Sequence, residues 1–120
     1  MRKRVLVVDD DEMNLKRTKM ILNRDYEVLL AESGKAALDK IRFQKIDLIL
    51  LDIAMPGMDG METFERMREF NDDVPVIFLT ASGQEEDVLK AIRLGAVNYL
   101  KKPFYPQDLL ERVAKEFDKK

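Results

Sequence analysis

The stretch "LILLDIAMPGMDG", residues 48–60, joins an apolar run to a carboxylate and then to a loop. Leu48–Leu51 has the composition of a central strand, Asp52 follows it directly, and Pro56 and Gly57 signal a turn. A lone carboxylate buried at the end of such a strand is unstable unless a cation or hydrogen bonds compensate it. Asp52 could accept hydrogen bonds from backbone N–H groups of the turn, or other parts of the chain could supply a cation.

Composition excludes several classes of chemistry. The chain has 120 residues, 46% of them apolar, so we expect one domain over residues 1–120 with its own core. It contains no cysteine and no histidine, which excludes disulfides, thiolate catalysis and Ser-His-Asp hydrolysis and argues against a zinc site. With 21 basic and 23 acidic residues, the net charge of −2 predicts no direct nucleic-acid binding.

The sequence also lacks the patterns of membrane attachment and export. Its longest apolar runs are well below the roughly 18 residues of a membrane-spanning helix. The N-terminal "MRKRVLVVDD" lacks the long apolar segment and cleavage site of a signal peptide. We therefore expect a cytoplasmic protein that does not contact a membrane.

Short β-rich runs alternate with segments whose apolar residues recur three or four positions apart. The predicted strands are residues 5–8, 26–31, 46–51, 74–79 and 97–100. Asp10 or Asp11 is predicted to cap the first helix, Ser33 the second and Asp59 the third, with Gly95 just after the fourth. The residues of the first helix that we expect to face inward are Asn14, Thr18, Ile21 and Leu22.

Strict alternation of strands and helices predicts a parallel sheet with right-handed crossovers and helices on both faces. The predicted fold is therefore α/β, a doubly wound (βα)5 domain with a five-stranded parallel sheet. Such sheets bind ligands outside the carboxyl ends of their strands, near the point where the strand order reverses.

Polar side chains follow four of the predicted strands. Strand 1 runs into Asp9, Asp10 and Asp11, strand 3 into Asp52, strand 4 into Thr80, and strand 5 into Lys101 and Lys102. In a sheet of order 2-1-3-4-5, strands 1 and 3 are neighbours, so their carboxylates would repel one another without a cation.

Two cations could compensate these carboxylates. Lys102 is one candidate, and a divalent metal bound by oxygen ligands, Mg²⁺ or Mn²⁺, is the other. A carboxylate beside a metal, a lysine and a hydroxyl is suited to phosphoryl transfer. The "DDDE" stretch taken alone could instead be a helix cap.

Four ordered motifs, "VLVVDDDE", "LILLDIAMPGMDG", "VIFLTAS" and "YLKKPF", resemble the receiver domains of bacterial two-component response regulators. The resemblance covers essentially the whole chain. It implies the flavodoxin-like fold with strand order 2-1-3-4-5. This order is known from chemotaxis receivers, and we expect it here because of the resemblance.

The resemblance implies a role for each residue at the strand ends. Asp52 matches the phosphoacceptor, and Asp9 and Asp10 match the acidic pair that holds Mg²⁺, with Asp10 the direct ligand. Asp52 itself and the backbone carbonyl of Ala54 match further metal ligands. Lys102 matches the amine that contacts a phosphoryl oxygen.

Other positions match the switch and its surroundings. Thr80 matches the hydroxyl that moves toward the phosphoryl group, and Tyr99 matches the aromatic residue whose rotamer follows it. Ala54 and Ser82 match variable positions that influence how water reaches the acyl phosphate. The resemblance also implies a cis bond between Lys102 and Pro103.

The resemblance implies a function as well as a fold. The domain would accept a phosphoryl group from a histidine kinase or phosphotransfer protein and switch conformation. It would act on a downstream effector or an attached output domain through the face formed by helix 4, strand 5 and helix 5, and the same face could form a homodimer. Such a domain is not a conventional enzyme, although it catalyses its own phosphorylation and dephosphorylation.

Two alternative functions use the same edge of the sheet. A metal-dependent phosphatase would need a second carboxylate two residues past the nucleophile, where this chain has Ala54. A flavin-binding protein would need a loop rich in serine and threonine after strand 1, where "DDDE" would repel a phosphate. Both alternatives are therefore weaker than the phosphorylation switch.

Overall fold

The computed structural model of the chain describes residues 2–81 and 85–119, and of residue 85 only the backbone. Strands and helices alternate along the whole of this length. The strands are β1 (Arg4–Val8), β2 (Glu27–Ala31), β3 (Leu48–Asp52), β4 (Val76–Thr80) and β5 (Asn98–Lys101). The helices are α1 (Glu12–Leu22), α2 (Gly34–Phe43), α3 (Gly60–Arg68), α4 (Glu85–Arg93) and α5 (Pro106–Asp118).

The five strands form one parallel sheet in the order β2-β1-β3-β4-β5, which confirms the predicted fold. Every residue of β3 and β4 is buried, because helices cover both faces of the sheet. Helices α2, α3 and α4 pack on one face and α1 and α5 on the other. Within the described residues, no helix combines the length and apolar character needed to cross a membrane.

The strand boundaries differ from the prediction at the ends that matter for function. Asp52 and Thr80 were expected just beyond their strands, but each is the last residue of its strand. Asp52 pairs with Leu79 and Thr80 pairs with Lys101 in the sheet ladder. Because both residues belong to the ladder, their backbones are fixed by the sheet rather than by a loop.

Helix ends follow the predicted capping residues. Asp11, and not Asp10, caps α1: its side chain accepts a hydrogen bond from the Met13 N–H at 2.9 Å. Ser33 caps α2 through the Ala36 N–H, and Asp59 caps α3 through the Glu62 N–H. Gly95 follows α4 with φ +111°, in the left-handed region that suits glycine.

The predicted inward face of α1 was partly wrong. The buried residues are Leu15, Thr18 and Leu22, whereas Asn14 and Ile21 are only partly buried. Positions 15, 18 and 22 follow the helical repeat and place the apolar Leu15 against the core. Asn14 consequently faces a cavity beside the acidic residues instead of the core.

Candidate functional site

Three carboxylates meet at the carboxyl ends of β1 and β3. Oxygens of Asp9, Asp10 and Asp52 all lie within 4.8 Å of one another. Asp9 and Asp52 are only 2% and 6% exposed, while Asp10 is exposed. The cause is topological, because β1 and β3 are paired neighbours and their ends reach the same edge of the sheet.

Lys102 provides the positive charge in this cluster. Its Nζ lies 2.8 Å from Asp9 Oδ2 and 3.4 Å from Asp52 Oδ2, and its side chain is 20% exposed. Its backbone N–H donates to the carbonyl of Thr80 at 2.7 Å, which ties the residue to the end of β4. Asp52 is therefore compensated in part by a lysine that follows β5.

The pKa values of the site show that this compensation is incomplete. Burial raises the pKa of Asp52 from 3.8 to about 6; the charge of Lys102 opposes the shift, and that of Asp9 adds to it. Burial alone would lower the pKa of Lys102, but its hydrogen bond to Asp9 and the charge of Asp52 outweigh burial and raise it. Lys102 thus stays charged at neutral pH, and ionised Asp52 would gain from a further cation.

Both carboxylate oxygens of Asp9 accept hydrogen bonds. Its Oδ1 accepts a hydrogen bond from the Asp11 N–H at 3.0 Å, and its Oδ2 accepts one from Lys102 at 2.8 Å. The donor set offered by the three carboxylates consists of oxygen alone, which suits a hard divalent cation such as Mg²⁺. The residues present therefore fit the ion that the sequence predicts.

The loop after β3 packs closely on the backbone of Asp52. The Gly60 N–H donates to the Ile53 carbonyl at 2.8 Å, and the Ile53 N–H donates to the Leu79 carbonyl at 3.1 Å. A Cβ atom on Gly60 would lie 2.2 Å from the carbonyl oxygen of Asp52 and 2.8 Å from Ile53 Cα. The first residue of α3 must therefore be glycine for the loop to close at this distance. Ala54 lies exposed within the same loop.

Thr80 and Tyr99 border a different space. Thr80 is 3% exposed at the end of β4, and Tyr99 in β5 is 43% exposed. Both line a groove of about 290 Å³ whose remaining walls are Val88, Leu89, Ile92 and Lys101. The structure thus brings Thr80 and Tyr99 to one groove against α4. Ser82, the other residue predicted near this point, lies outside the described residues.

A cavity of about 500 Å³ opens between α1 and the segment after β5. It is lined by Asp9, Asn14, Arg17, Thr18, Lys102, Pro103 and Phe104. The bond between Lys102 and Pro103 is cis, as the sequence resemblance implies. Arg17 was not singled out from the sequence, because an arginine in an amphipathic helix carries no signal of a contact far along the chain.

Comparisons with known proteins show the family of the chain. The family model for the response regulator receiver domain matches residues 5–114. The alkaline phosphatase synthesis transcriptional regulatory protein PhoP of Bacillus subtilis is 39% identical over 114 residues, which are 94% of this chain and 48% of that protein. The chain spans about half the length of the first curated relatives that it matches.

Solved structures show the same fold. A CheY-like response regulator receiver domain protein from Methanospirillum hungatei superposes with a TM-score of 0.93 at 35% identity, covering 98% of this chain and 95% of that one. Chemotaxis protein CheY4 of Vibrio cholerae superposes with a TM-score of 0.90 at 30% identity, covering 96% and 98%. Because the family model matches residues 5–114 and the solved structures share the fold, the chain belongs to the response regulator receiver domain family.

Proposed function

We propose that this chain is a phosphorylation-controlled switch whose phosphoacceptor is Asp52. The observation that carries the proposal is the meeting of three carboxylates within 4.8 Å of one another, with the Lys102 ammonium 3.4 Å from Asp52. The phosphoryl donor that we propose is a histidine kinase or a phosphotransfer protein, because the chain belongs to the receiver domain family. The site of action that we propose is the cytoplasm.

Phosphoryl transfer requires an ionised Asp52. With a pKa of about 6, its carboxyl group is mostly ionised at pH 7. One carboxylate oxygen attacks the phosphorus and forms the new P–O bond, while the bond from phosphorus to the donor's nitrogen or oxygen breaks and its electron pair leaves with the donor. Lys102 contacts a phosphoryl oxygen and offsets its charge beside the buried Asp52.

The cofactor in this proposal is Mg²⁺, with Mn²⁺ as a substitute. Asp10, Asp52 and the backbone carbonyl of Ala54 would hold the ion directly. Asp9 would act through water, since both of its oxygens already accept hydrogen bonds. When bound, the ion supplies positive charge to the phosphoryl oxygens.

The same residues would catalyse loss of the phosphoryl group. Water attacks the phosphorus of the acyl phosphate, the bond to Asp52 breaks, and inorganic phosphate leaves. Ala54 offers only a methyl group beside this reaction and no side-chain hydrogen bond to the water. Ala54 is exposed, so water can reach the site past it.

The output of the switch is a change in the groove that Thr80 and Tyr99 share. A phosphoryl group on Asp52 adds charge and acceptor oxygens that attract the Thr80 hydroxyl. Movement of Thr80 vacates space that the Tyr99 ring can occupy. The face formed by α4, β5 and α5 would then bind a downstream effector, an attached output domain or a second copy of the chain. Among the described residues, five large apolar side chains are exposed along α4 and β5 or between them: Leu89, Ile92, Leu94, Val97 and Tyr99.

The proposal is tested by phosphorylation with a small donor. Incubation with acetyl phosphate and Mg²⁺ should raise the intact mass by one phosphoryl group, and peptide mapping should place it on Asp52. Asp52→Asn should abolish the product, while Asp39→Asn, at an exposed position of α2, should leave it unchanged. A label on another residue, or an unlabelled wild type, would contradict the assignment.

A further inference from the structure

Arg17 of α1 contacts the segment that carries Lys102 to the acidic cluster. Its Nη2 donates a hydrogen bond to the carbonyl oxygen of Phe104 at 2.8 Å. Its guanidinium carbon also lies 5.0 Å from the centre of the Phe104 ring, and Phe104 is 7% exposed. One guanidinium therefore holds both the backbone and the ring of a buried residue, an arrangement that a lysine cannot reproduce fully.

The held segment connects β5 to α5. Lys102 is tied to the sheet by its N–H bond to Thr80, but Pro103 has no N–H group to donate. The Phe104 carbonyl, two residues past Lys102, is the point at which Arg17 joins the segment to α1. The backbone that carries Lys102 is thus held from β4 on one side and from α1 on the other.

A small displacement of this backbone would change the reach of Lys102. The Nζ of Lys102 lies 3.4 Å from Asp52 Oδ2, so the contact weakens if the segment moves outward. Lys102, Arg17 and Phe104 all line the cavity of about 500 Å³ described above, which leaves the lysine side chain room to move. α1 begins at Glu12, two residues after Asp10, so Arg17 connects the lysine segment to a helix that starts beside the acidic cluster.

We propose that Arg17 is a positioning residue for phosphoryl transfer, holding the Phe104 carbonyl so that Lys102 reaches Asp52. The inference rests on the proposed function of Asp52 and Lys102. It assigns Arg17 no contact with the phosphoryl group, because its hydrogen bond and its stacking partner both belong to Phe104.

The first experiment measures the position of Lys102 without any phosphorylation. The metal-free protein is treated with an amine-acylating reagent at fixed pH, and labelling of Lys102 is compared by mass spectrometry with labelling of its exposed neighbour Lys101. Arg17→Ala should raise the labelling rate of Lys102 by about fivefold while that of Lys101 stays constant, since loss of the tie releases the segment. Arg66→Ala, which removes an exposed arginine of α3, is the matched control and should change neither rate.

The second experiment measures phosphorylation by acetyl phosphate over a range of donor concentrations. Arg17→Ala should lower the maximal rate about fivefold, as expected for a misplaced charge, without changing the Mg²⁺ affinity. Arg17→Lys should restore part of the rate, because an ammonium can bond the Phe104 carbonyl but cannot stack as a planar fork. It also provides a folded variant if the alanine variant is unstable.

The two experiments separate this inference from the proposed function. Unchanged labelling of Lys102, or an unchanged phosphorylation rate, in both Arg17 variants would overturn the role of Arg17. A wild-type protein that takes up no phosphoryl group would instead refute the proposed function, while acylation would still report on the tie between Arg17 and Lys102.

Discussion

Lys102 lies closer to Asp9 than to Asp52, with its Nζ 2.8 Å from Asp9 Oδ2 and 3.4 Å from Asp52 Oδ2. One ammonium therefore serves two buried carboxylates, and its shorter contact is to the one that is not the proposed nucleophile. Burial raises the pKa of Asp52 to about 6 despite this lysine. The metal-free site consequently carries unfavourable negative charge, which a proton, a cation or an uncharged side chain would relieve.

Replacing Asp52 by asparagine should stabilise the metal-free protein at neutral pH. The folded-state pKa of about 6 exceeds the ordinary 3.8, so the folded state binds more protons between these values. The free energy of unfolding therefore falls as pH rises through this window, by at most about 3 kcal/mol for this group. Urea unfolding in the presence of a chelator should give Asp52→Asn a higher free energy of unfolding than wild type at pH 7.5. At pH 3.5 this difference should disappear.

The control for this measurement is Asp39→Asn, which removes an exposed carboxylate from α2. It should change the free energy of unfolding by well under 1 kcal/mol at either pH. Equal stability of Asp52→Asn and wild type at pH 7.5 would show that the carboxylate is not strained in the folded protein.

Magnesium should stabilise the wild-type protein through Asp10. An ion that binds only the folded state adds about 1.4 kcal/mol to the free energy of unfolding at ten times its Kd. Asp10→Asn removes one negative charge from the three clustered carboxylates and should weaken binding at least tenfold, so most of the stabilisation is lost. The measurement is the melting temperature as MgCl2 increases, at constant ionic strength set with NaCl. If the melting temperature of the wild type did not change with MgCl2, the result would contradict the proposed metal site.

The parts of this site that could be predicted from sequence are those that interrupt a strong pattern. Asp9, Asp52 and Thr80 stand out because each follows an almost continuous apolar run, and parallel strands bring such ends to one edge. Capping residues are also predictable, because their hydrogen-bond partners are close in sequence: Ser33 and Asp59 each accept from an N–H group three residues further along the chain. Local chemistry and strand alternation were sufficient for these features.

Contacts between distant segments could not be predicted in this way. Arg17 bonds Phe104 across 87 positions of sequence, and nothing in its own helix marks it as different from other exposed arginines. The orientation of α1 depends on which face packs against the core, and this packing buries Leu15 where the sequence predicted Asn14. Gly60 is a further case, because its need for glycine comes from the backbone of Asp52.

Replacing Gly60 by alanine should destabilise the protein far more than the same change at Gly57. A Cβ on Gly60 would meet backbone atoms at 2.2 Å and 2.8 Å, and neither can move without distorting the end of β3. We expect a loss of about 3 kcal/mol. At Gly57, with φ +74° and no atom within 4 Å of the added Cβ, the strain should cost about 1 kcal/mol. Urea unfolding of the two variants measures the difference, and comparable losses would argue against a close approach at Gly60.

Thr80→Ala should separate phosphorylation of Asp52 from movement of Tyr99. The chain has three tyrosines, Tyr26, Tyr99 and Tyr105, so protein labelled with 3-fluorotyrosine gives three assignable fluorine signals. Acetyl phosphate and Mg²⁺ should shift the Tyr99 signal in wild type, because Thr80 and Tyr99 line the same groove. The exposed Tyr105 and the Tyr26 that packs on Phe117 serve as internal references.

In Thr80→Ala, the intact mass should still show one added phosphoryl group, because the variant retains Asp52 and Lys102. The fluorine signal of Tyr99, however, should stay near its unphosphorylated position. The physical reason is that alanine has no hydroxyl to be drawn toward the phosphoryl oxygens, so the wall of the groove does not move. A Tyr99 signal that shifts equally in the variant and in wild type would mean that phosphorylation reaches the α4 and β5 surface by a route that does not involve Thr80.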